Sequence, residues 1–420
     1  MKIAIVGTGI SGMVAASLLH RDHDLTVFEA ADYIGGHTNT VDVRMDGKTY
    51  AIDTGFIVFN DWTYPNFIRL LNRLGVASQP SDMSFSVKCE RTGLEYNGTN
   101  LNSLFAQRQN LLRPSFYRMI RDILRFNKES LGLLAQPAPG PSLASYLEAH
   151  RYSKEFIDQY IVPMGAAIWS AGQGTMREFP VRYLVQFFKN HGMLSVDERP
   201  IWRVITGGSQ RYMEKLVAPF RDRILLRSPV ESISRYPDFV EIRSHIQDRD
   251  YRAIRFDHVI LATHSDQALG MLADPSPDEK QILGAIRYQE NEAVLHTDMS
   301  LLPRRKLAWA AWNYHLSPDQ PDRAVVTYHM NRLQGLRAPY EFCVTLNHAE
   351  AIDSEKILRR IVYHHPVYSP ETVAAQKRHG EISGVNRTSY CGAYWGFGFH
   401  EDGVNSALAV CEPFGKDLSS

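Results

Sequence analysis

Three glycines near the amino end, Gly7, Gly9 and Gly12, stand in G-x-G-x-x-G spacing, and an acidic residue, Glu29, closes the next apolar run. Residues of these types at these intervals suit the binding of a dinucleotide. Gly7 permits a tight turn, Gly9 lets backbone approach a pyrophosphate, and Gly12 lets a helix lie close on a strand. The phosphates would sit on free N–H groups of Ile10, Ser11 and Gly12, at the positive end of a helix running to about His20. Glu29, with Ala30 beside it, would accept hydrogen bonds from an adenosine ribose. Three glycines alone would also serve an ordinary turn. Here they follow an apolar run, Ile3 to Val6, that reads as a strand buried on both faces, and a second run, Leu25 to Phe28, completes a βαβ unit.

The chain has 420 residues, more than one ordinary core, so two domains are expected. Hydrophobic content of 44% and charged content of 22% are those of a globular protein. Basic and acidic residues balance at 46 each, so no global charge draws the chain to nucleic acid, and no nucleic-acid partner is expected. Four scattered cysteines, Cys89, Cys343, Cys391 and Cys411, fit free thiols in a reducing compartment. The first strand starts at residue 2 and no apolar run nears membrane-spanning length, so the expectation is a cytoplasmic protein or one at the inner face of a membrane.

Beyond Glu29 the chain reads Glu-Ala-Ala-Asp-Tyr-Ile-Gly-Gly-His-Thr, which resembles the glycine-pair segment of the flavin-containing amine oxidase superfamily, a group that includes phytoene desaturases and protoporphyrinogen oxidases. The resemblance implies FAD, held non-covalently, rather than NAD. It implies an α/β fold: a Rossmann-like FAD-binding domain of the glutathione-reductase type, beside a discontinuous α+β substrate domain on a mixed sheet. The FAD-binding domain would take residues 1–65, 200–270 and 385–420; the substrate domain would take 66–199 and 271–384, with a helical part at about 101–190. It also implies further cofactor contacts: Gly35, Gly36, His37 and Thr38; Thr54, Gly55 and Phe56, where a plain β-turn is the competing reading; Val230; and Ala262 with Thr263. At the carboxyl end, Tyr390-Cys-Gly-Ala-Tyr-Trp-Gly-Phe-Gly-Phe-His-Glu-Asp-Gly would supply the last contacts through Gly392, Ala393, Gly403, Val404 and Asn405, with a helix from about Val404 aimed at the pyrimidine end of the flavin. Ala393 stands where relatives carry an acidic residue for the ribityl chain, and His37 where many carry arginine. Cys391 lies close to where some relatives link flavin covalently, but falls within the Tyr-Cys-Gly turn.

Between these segments Asn66–Leu74 reads as a helix capped by Gly75, and residues 82–96 as a hairpin turning at Arg91–Gly93. Residues 101–130 carry six basic residues, Arg108 to Lys128, against two acidic ones, with Leu111, Leu112, Phe116, Met119, Ile123 and Phe126 at helical spacing. Such a helix is either a solvated face over a core or a surface for an anionic membrane or acyl chain, which Arg113, Arg118 and Arg121 would meet. Pro137–Pro141 is a loop, Ser142 caps the next helix, and Phe156–Ala167 is a helix interrupted at Pro163–Gly165. Ala293–His296, Leu307–Trp312, Ala324–Met330 and Glu341–Leu346 are expected strands of one mixed sheet. The histidines of residues 296–365 have spacings that fit no compact ligand set, so no metal is expected.

Narrower motifs, Pro163–Ser170, Leu295–Asp298, Trp312–Tyr314 and Gly396–Gly403, look like a bacterial subgroup of FAD oxidoreductases found beside cyclopropane-fatty-acid synthases. That likeness implies removal of hydride from a lipid-like substrate, such as a methylated or cyclopropane acyl chain, with electrons passing to oxygen or a carrier. Two other readings stay open: a flavin amine oxidase, and a non-catalytic flavin-binding partner of a lipid methyltransferase. Trp169, His296, Trp312, Tyr394, Trp395 and His400 are candidates for lining the cavity, with core packing as the alternative for Trp169; none receives a proton-transfer role.

Overall fold

Along the first strand, Lys2–Val6, Ile3 and Ile5 turn to one side and Ala4 and Val6 to the other, and both sides are covered. The computed structural model, which describes residues 1–136, 140–246, 251–317 and 322–419, places this strand at the centre of a five-stranded parallel sheet in the order Ile224–Leu225, Asp24–Phe28, Lys2–Val6, His258–Leu261, Thr388–Tyr390. Helices Ile10–Leu19, Gln210–Val217 and His400–Cys411 cover the face of Ile3 and Ile5. A three-stranded antiparallel sheet, Val230–Arg235, Val240–His245 and Tyr251–Phe256, covers the other through Ile233, Ile242 and Phe256. The sheet, the helices and the small second sheet make the layered Rossmann-like architecture that the motifs imply.

A seven-stranded mixed sheet forms the second body, in the order Ile357–Val367, Arg287–His296, Cys343–Leu346, Val325–His329, Trp312–Leu316, Phe85–Cys89, Leu94–Asn97. All its pairings are antiparallel except that of Trp312–Leu316 with Phe85–Cys89. The expected strand Leu307–Trp312 is instead a 3-10 turn, Lys306–Ala308, and the strand begins only at Trp312. The expected single helix over 101–130 is three pieces: Leu101–Leu104, the 3-10 turn Arg108–Leu112, and Pro114–Glu129. Pro114 cannot donate a backbone hydrogen bond, so it opens a helix rather than continuing one. Pro163 behaves differently. A wide π turn at Ile157–Ile161 precedes it, the proline falls in the first turn of Val162–Trp169, and the chain runs through without the expected interruption. Ser142 caps helix Leu143–Ala149 as expected; of the expected loop before it, Pro137–Pro139 lie outside the described residues.

Three polar contacts tie the segments that meet at the cofactor end. The buried Asp53 carboxylate accepts from Thr40 Oγ1 at 2.6 Å, from the Ser209 N–H at 2.8 Å and from Gln334 Nε2 at 3.2 Å, joining the hairpin Thr40–Asp53, the turn before Gln210–Val217 and the substrate domain. Glu401 accepts from the N–H groups of Asn66 and Phe67 at 3.0 and 2.8 Å, so the last long helix caps helix Pro65–Leu74. Behind the sheet, Arg235 forks onto Glu279 at 2.5 and 2.9 Å, and the Tyr390 hydroxyl donates to the same carboxylate at 2.6 Å. Arg235 and Glu279 side chains are 3% and 2% exposed, and Tyr390 ends the strand that delivers the carboxyl-terminal loop. Replacing Arg235 by Met strands a buried carboxylate and is expected to cost about 3–5 kcal/mol in denaturant unfolding. The same change at Arg360, in an exposed pair with Glu292, is expected to cost no more than about 1 kcal/mol.

Candidate functional site

At the carboxyl ends of the parallel strands, backbone segments crowd together where only glycine fits. A methyl group on Gly12 would stand 2.1 Å from the Gly7 carbonyl oxygen, one on Gly7 2.7 Å from the Ala262 carbonyl oxygen, and one on Gly403 2.6 Å from Ile10. Gly9 is the exception. A methyl there would meet nothing within 4 Å, and its backbone, at φ −63° and ψ 175°, suits any residue. Glycine at this position keeps a space open instead of relieving a clash, which is what a closely approaching pyrophosphate requires. Gly36 borders the same space, where a methyl on it would stand 3.3 Å from the Gly9 Cα, and the first N–H groups of Ile10–Leu19 have no helical partner there.

Glu29 is held by a residue the motif reading left unassigned. Thr8 donates to its Oε2 from both backbone and hydroxyl, at 2.9 and 2.5 Å, the Ala31 N–H donates to Oε1 at 2.8 Å, and the Gly35 N–H reaches the Thr8 hydroxyl at 3.2 Å. Thr8 thus fixes the acid and the glycine pair together. Ala30 is exposed at the strand end, and Val230 opens the strand after Ser228, whose N–H bonds the Glu29 carbonyl.

Further along, side chains that no motif marked surround His37. Its ring stacks on Tyr363 at 4.8 Å and lies 5.3 Å from His365; burial, then His365, holds its pKa well below the usual range, and its Nε2 is buried without a hydrogen-bond partner. The Tyr363 hydroxyl is gripped by Asn39 Nδ2 at 3.1 Å and Thr54 Oγ1 at 3.0 Å. His365 is oriented by a chain of amides. Asn347 accepts from the Glu292 N–H and donates to Asn291 Oδ1 at 2.7 Å, leaving the Asn291 amide nitrogen to donate to His365 Nδ1 at 2.9 Å. His365 therefore carries its proton on Nε2 and acts as a donor. Burial pushes its pKa down to about 4, and that of His264, stacked on Tyr288 at 4.4 Å, also to about 4, so both are neutral at physiological pH.

The loop Gly392–Phe399 closes the site. Gly392 leaves room for the Tyr394 ring, 2.3 Å from where a methyl would stand, and its N–H donates to Ser406 Oγ. The loop is braced by Trp169 Nε1 onto the Phe397 carbonyl at 3.1 Å, by the Tyr183 hydroxyl onto Gly396 at 2.7 Å and by Gln376 onto the Tyr394 and Gly396 carbonyls. Asp402 accepts from the Phe399 N–H at 2.9 Å, and burial pushes its pKa up to about 7. The geometry fits FAD on two observations: the open space over Gly9, and the buried, unpartnered His37 Nε2 in the residue next to Gly36.

Several predicted contacts are committed elsewhere. Thr38 shares its hydroxyl with Tyr212 and His400 at 2.6 and 3.1 Å. His400 stacks on Phe56 at 3.4 Å and bonds the Tyr212 hydroxyl at 2.9 Å; burial pushes its pKa to about 3, and it is a packed joint of the cofactor domain rather than a cavity wall. Phe56 and Val404 belong to the same core, which leaves only their backbone for a ligand. Asn405 points outward and accepts from Asn66 Nδ2. Gly55 is needed because a methyl would stand 2.3 Å from the His37 carbonyl oxygen. Ala262 donates its N–H to Val6, and Thr263 bonds the His264 carbonyl; Ala393 is half-buried at the loop's start. Trp169 is 6% exposed in a packed aromatic core with Phe179, Phe187 and Tyr368. His296 is fully buried and bonds Thr345 Oγ1 at 2.7 Å. It stands eight residues along its strand from Tyr288, roughly 26 Å at the usual rise, and so lies away from the site. Trp312 packs edge-on to Tyr328 in the substrate domain's own core. Tyr394 is 4% exposed, and Trp395 turns toward His379 at 4.4 Å. Cys391 is buried in the core under the helix layer, and burial raises its pKa. Among the described residues no group of three or more metal-binding side chains converges.

Gly9→Ala is expected to leave the FAD-free protein as stable as wild type to within about 0.5 kcal/mol, yet to weaken FAD binding at least about tenfold, read by flavin fluorescence titration. Gly12→Ala, which meets backbone, is expected to abolish the fold itself. Asp402 supplies a pH signature. Its folded pKa is raised from 3.8 to about 7 by burial, so it favours the folded state fully below about pH 4, and that contribution is lost as pH rises through 7. The stability of wild type relative to Asp402→Asn should therefore fall between pH 4 and 7; a difference that stays flat would show normal titration.

No curated protein matches the chain. Among solved structures it is similar to cyclohexylamine oxidase from Brevibacterium oxydans IH-35A, at 16% identity over 99% of both chains with a TM-score of 0.70. It is similar to a CLA-producing fatty acid isomerase from P. acnes, at 17% identity over 98% of both chains with a TM-score of 0.69. It is similar also to putrescine oxidase in its putrescine-bound form, at 14% identity over 99% of both chains with a TM-score of 0.69. At such identities these likenesses speak to fold. The sequence model of the flavin containing amine oxidoreductases matches residues 10–297, more than half of the chain. That span runs from the phosphate-binding helix into the substrate sheet, and with it the protein belongs to the flavin-containing amine oxidoreductase family, as an FAD-dependent oxidoreductase.

Proposed function

We propose that this oxidoreductase removes hydride from a lipid-like substrate, an acyl chain carrying a methyl or cyclopropane modification, and delivers the electrons to oxygen or a carrier. Fold does not decide the substrate, because amine oxidases and a fatty acid isomerase resemble the chain equally well. The side chains beside the glycine-rich loop carry the reading. Trp169, Phe179, Tyr183, Phe187, Tyr368 and Phe397 form a continuous, packed aromatic layer that backs the loop. The carboxylates next to it, Glu401 and Asp402, are spent on backbone N–H groups. An ammonium group entering from this side would find no free acid, and burying a charge without a partner is costly. Nor do Tyr394 and Trp395 form a facing pair for an amine: their rings are tilted by 43° at 5.0 Å, and Trp395 leans on His379.

Bound FAD would supply the hydride acceptor. The chain's part is to hold a C–H bond near it, keep water out with the aromatic layer packed behind the loop, and offer the neutral donor His365 and the buried His37 as fixed polar contacts. The test is anaerobic mixing of the holoenzyme with substrates while the flavin absorbance near its visible maximum is followed. Bleaching by methyl-branched or cyclopropane acyl lipids and not by primary amines is expected. Bleaching by amines alone would assign amine oxidation instead, and an unbleached flavin with every substrate would argue for a non-catalytic binding role.

A further inference from the structure

We propose that the face built by Leu101–Tyr117 and the turn Lys306–Ala308 docks the enzyme on the surface of an anionic phospholipid bilayer. This is separate from the substrate reading and stands on different residues.

Large apolar side chains are left in the open here. Leu112 is 88% exposed, Leu101 75%, and Leu111 and Tyr117 47% each. Leu111, Leu112, Pro114, Tyr117, Arg118 and Arg121 line an open groove of about 580 Å³. Helix Pro114–Glu129 already buries Phe116, Met119 and Phe126 inward, so the outer leucines are not needed for its packing. The segments hold together as one surface. The Arg108 guanidinium bonds the Asn102 and Phe105 carbonyls, and the Tyr117 hydroxyl bonds that of Leu111. The structure adds a part that sequence spacing did not reveal. The turn Lys306–Ala308 packs against Leu101–Leu104 and brings Arg304, Arg305, Lys306 and the exposed Leu307 alongside.

Charge selects the occupant. Of the acidic groups nearby, Glu155 is taken by Arg118 at 2.7 Å, and Glu95 is buried, receiving the Arg304 and Arg305 N–H groups. Asp122 is buried, accepts from the Ser153 N–H, and its other oxygen stands 3.9 Å from Arg121 and 3.6 Å from Arg125 at the edge of the face. Arg121, with its side chain 73% exposed, Arg304 and Lys306 are left facing outward. Exposed leucines ringed by arginine and lysine match a bilayer with negative headgroups, where aliphatic chains enter the acyl boundary and cations lie at the phosphates. Among the described residues no helix is long and apolar enough to cross a membrane, so the contact is peripheral.

Co-sedimentation of holoenzyme with vesicles tests this. Binding to phosphatidylglycerol–phosphatidylcholine vesicles is expected to be at least about tenfold tighter than to phosphatidylcholine alone, and to weaken in about 0.5 M salt. Arg121→Glu with Arg304→Glu should remove at least about tenfold of that affinity. Leu111→Ser with Leu112→Ser should weaken it several-fold while bound FAD per chain stays unchanged. Equal binding to both vesicle types, or binding untouched by either pair of substitutions, would overturn the proposal. So would absence of vesicle binding together with a dimer that Leu112→Ser dissolves, which would assign the face to a second copy of the chain.

Discussion

The whole cofactor end depends on how near one backbone comes to another at the first turn. Gly12 lies so close to the Gly7 carbonyl that the helix after it is pressed onto the strand, and Gly7 in turn lies against Ala262 on the neighbouring strand. This compression sets where the helix begins, and therefore where its free N–H groups point. Gly403, from the far end of the chain, then fits against Ile10 and Ser11, which brings the loop Gly392–Phe399 over the same cleft. Thr8, between two of the glycines, converts the turn into a clamp on Glu29 and Gly35. Position in this site is set by backbone proximity first and by side chains second.

What could be read in the sequence follows from that. Glycines at short intervals, a terminal acid and a capped helix leave local signals, so the strand–helix–strand unit, the glycine pair and the helix closed by Gly75 were legible, as was the mixed sheet of the second body. The long edge strand Ile357–Val367 was not, because its exposed Arg359 and Arg360 break any apolar alternation, and Tyr363 and His365 ride on it. Aromatic and histidine residues were poor guides on type alone. His296 and His400 share a chemistry with His365, but one is buried far along a strand and one is locked between Phe56 and Tyr212. Only the partner of a ring nitrogen distinguishes them, and that partner is distant in sequence: Asn291 stands 74 residues from His365.

The site that results is largely uncharged. Burial keeps His37, His264 and His365 neutral, and the amides of Asn347 and Asn291 decide which nitrogen of His365 carries hydrogen. A neutral donor whose orientation is set by buried amides keeps its character over a wide pH range, which suits chemistry in which a hydride, and not a proton, is the species to be guided. The nearby carboxylates are used up in capping, so polarity is concentrated on a few oriented groups against an aromatic background.

The parallel sheet draws its edge strand from Thr388–Tyr390 and one of its covering helices from His400–Cys411, while Glu401 caps a helix that begins at Pro65. The Ile3 and Ile5 face is therefore completed only when residues far apart in sequence meet, as Cys411 and Ala15 do across 396 positions. Such long-range closure makes folding slow and exposes apolar surface on the way. A flavin site that needs Gly403 beside Ile10 is accordingly assembled late in folding, once these distant segments have met.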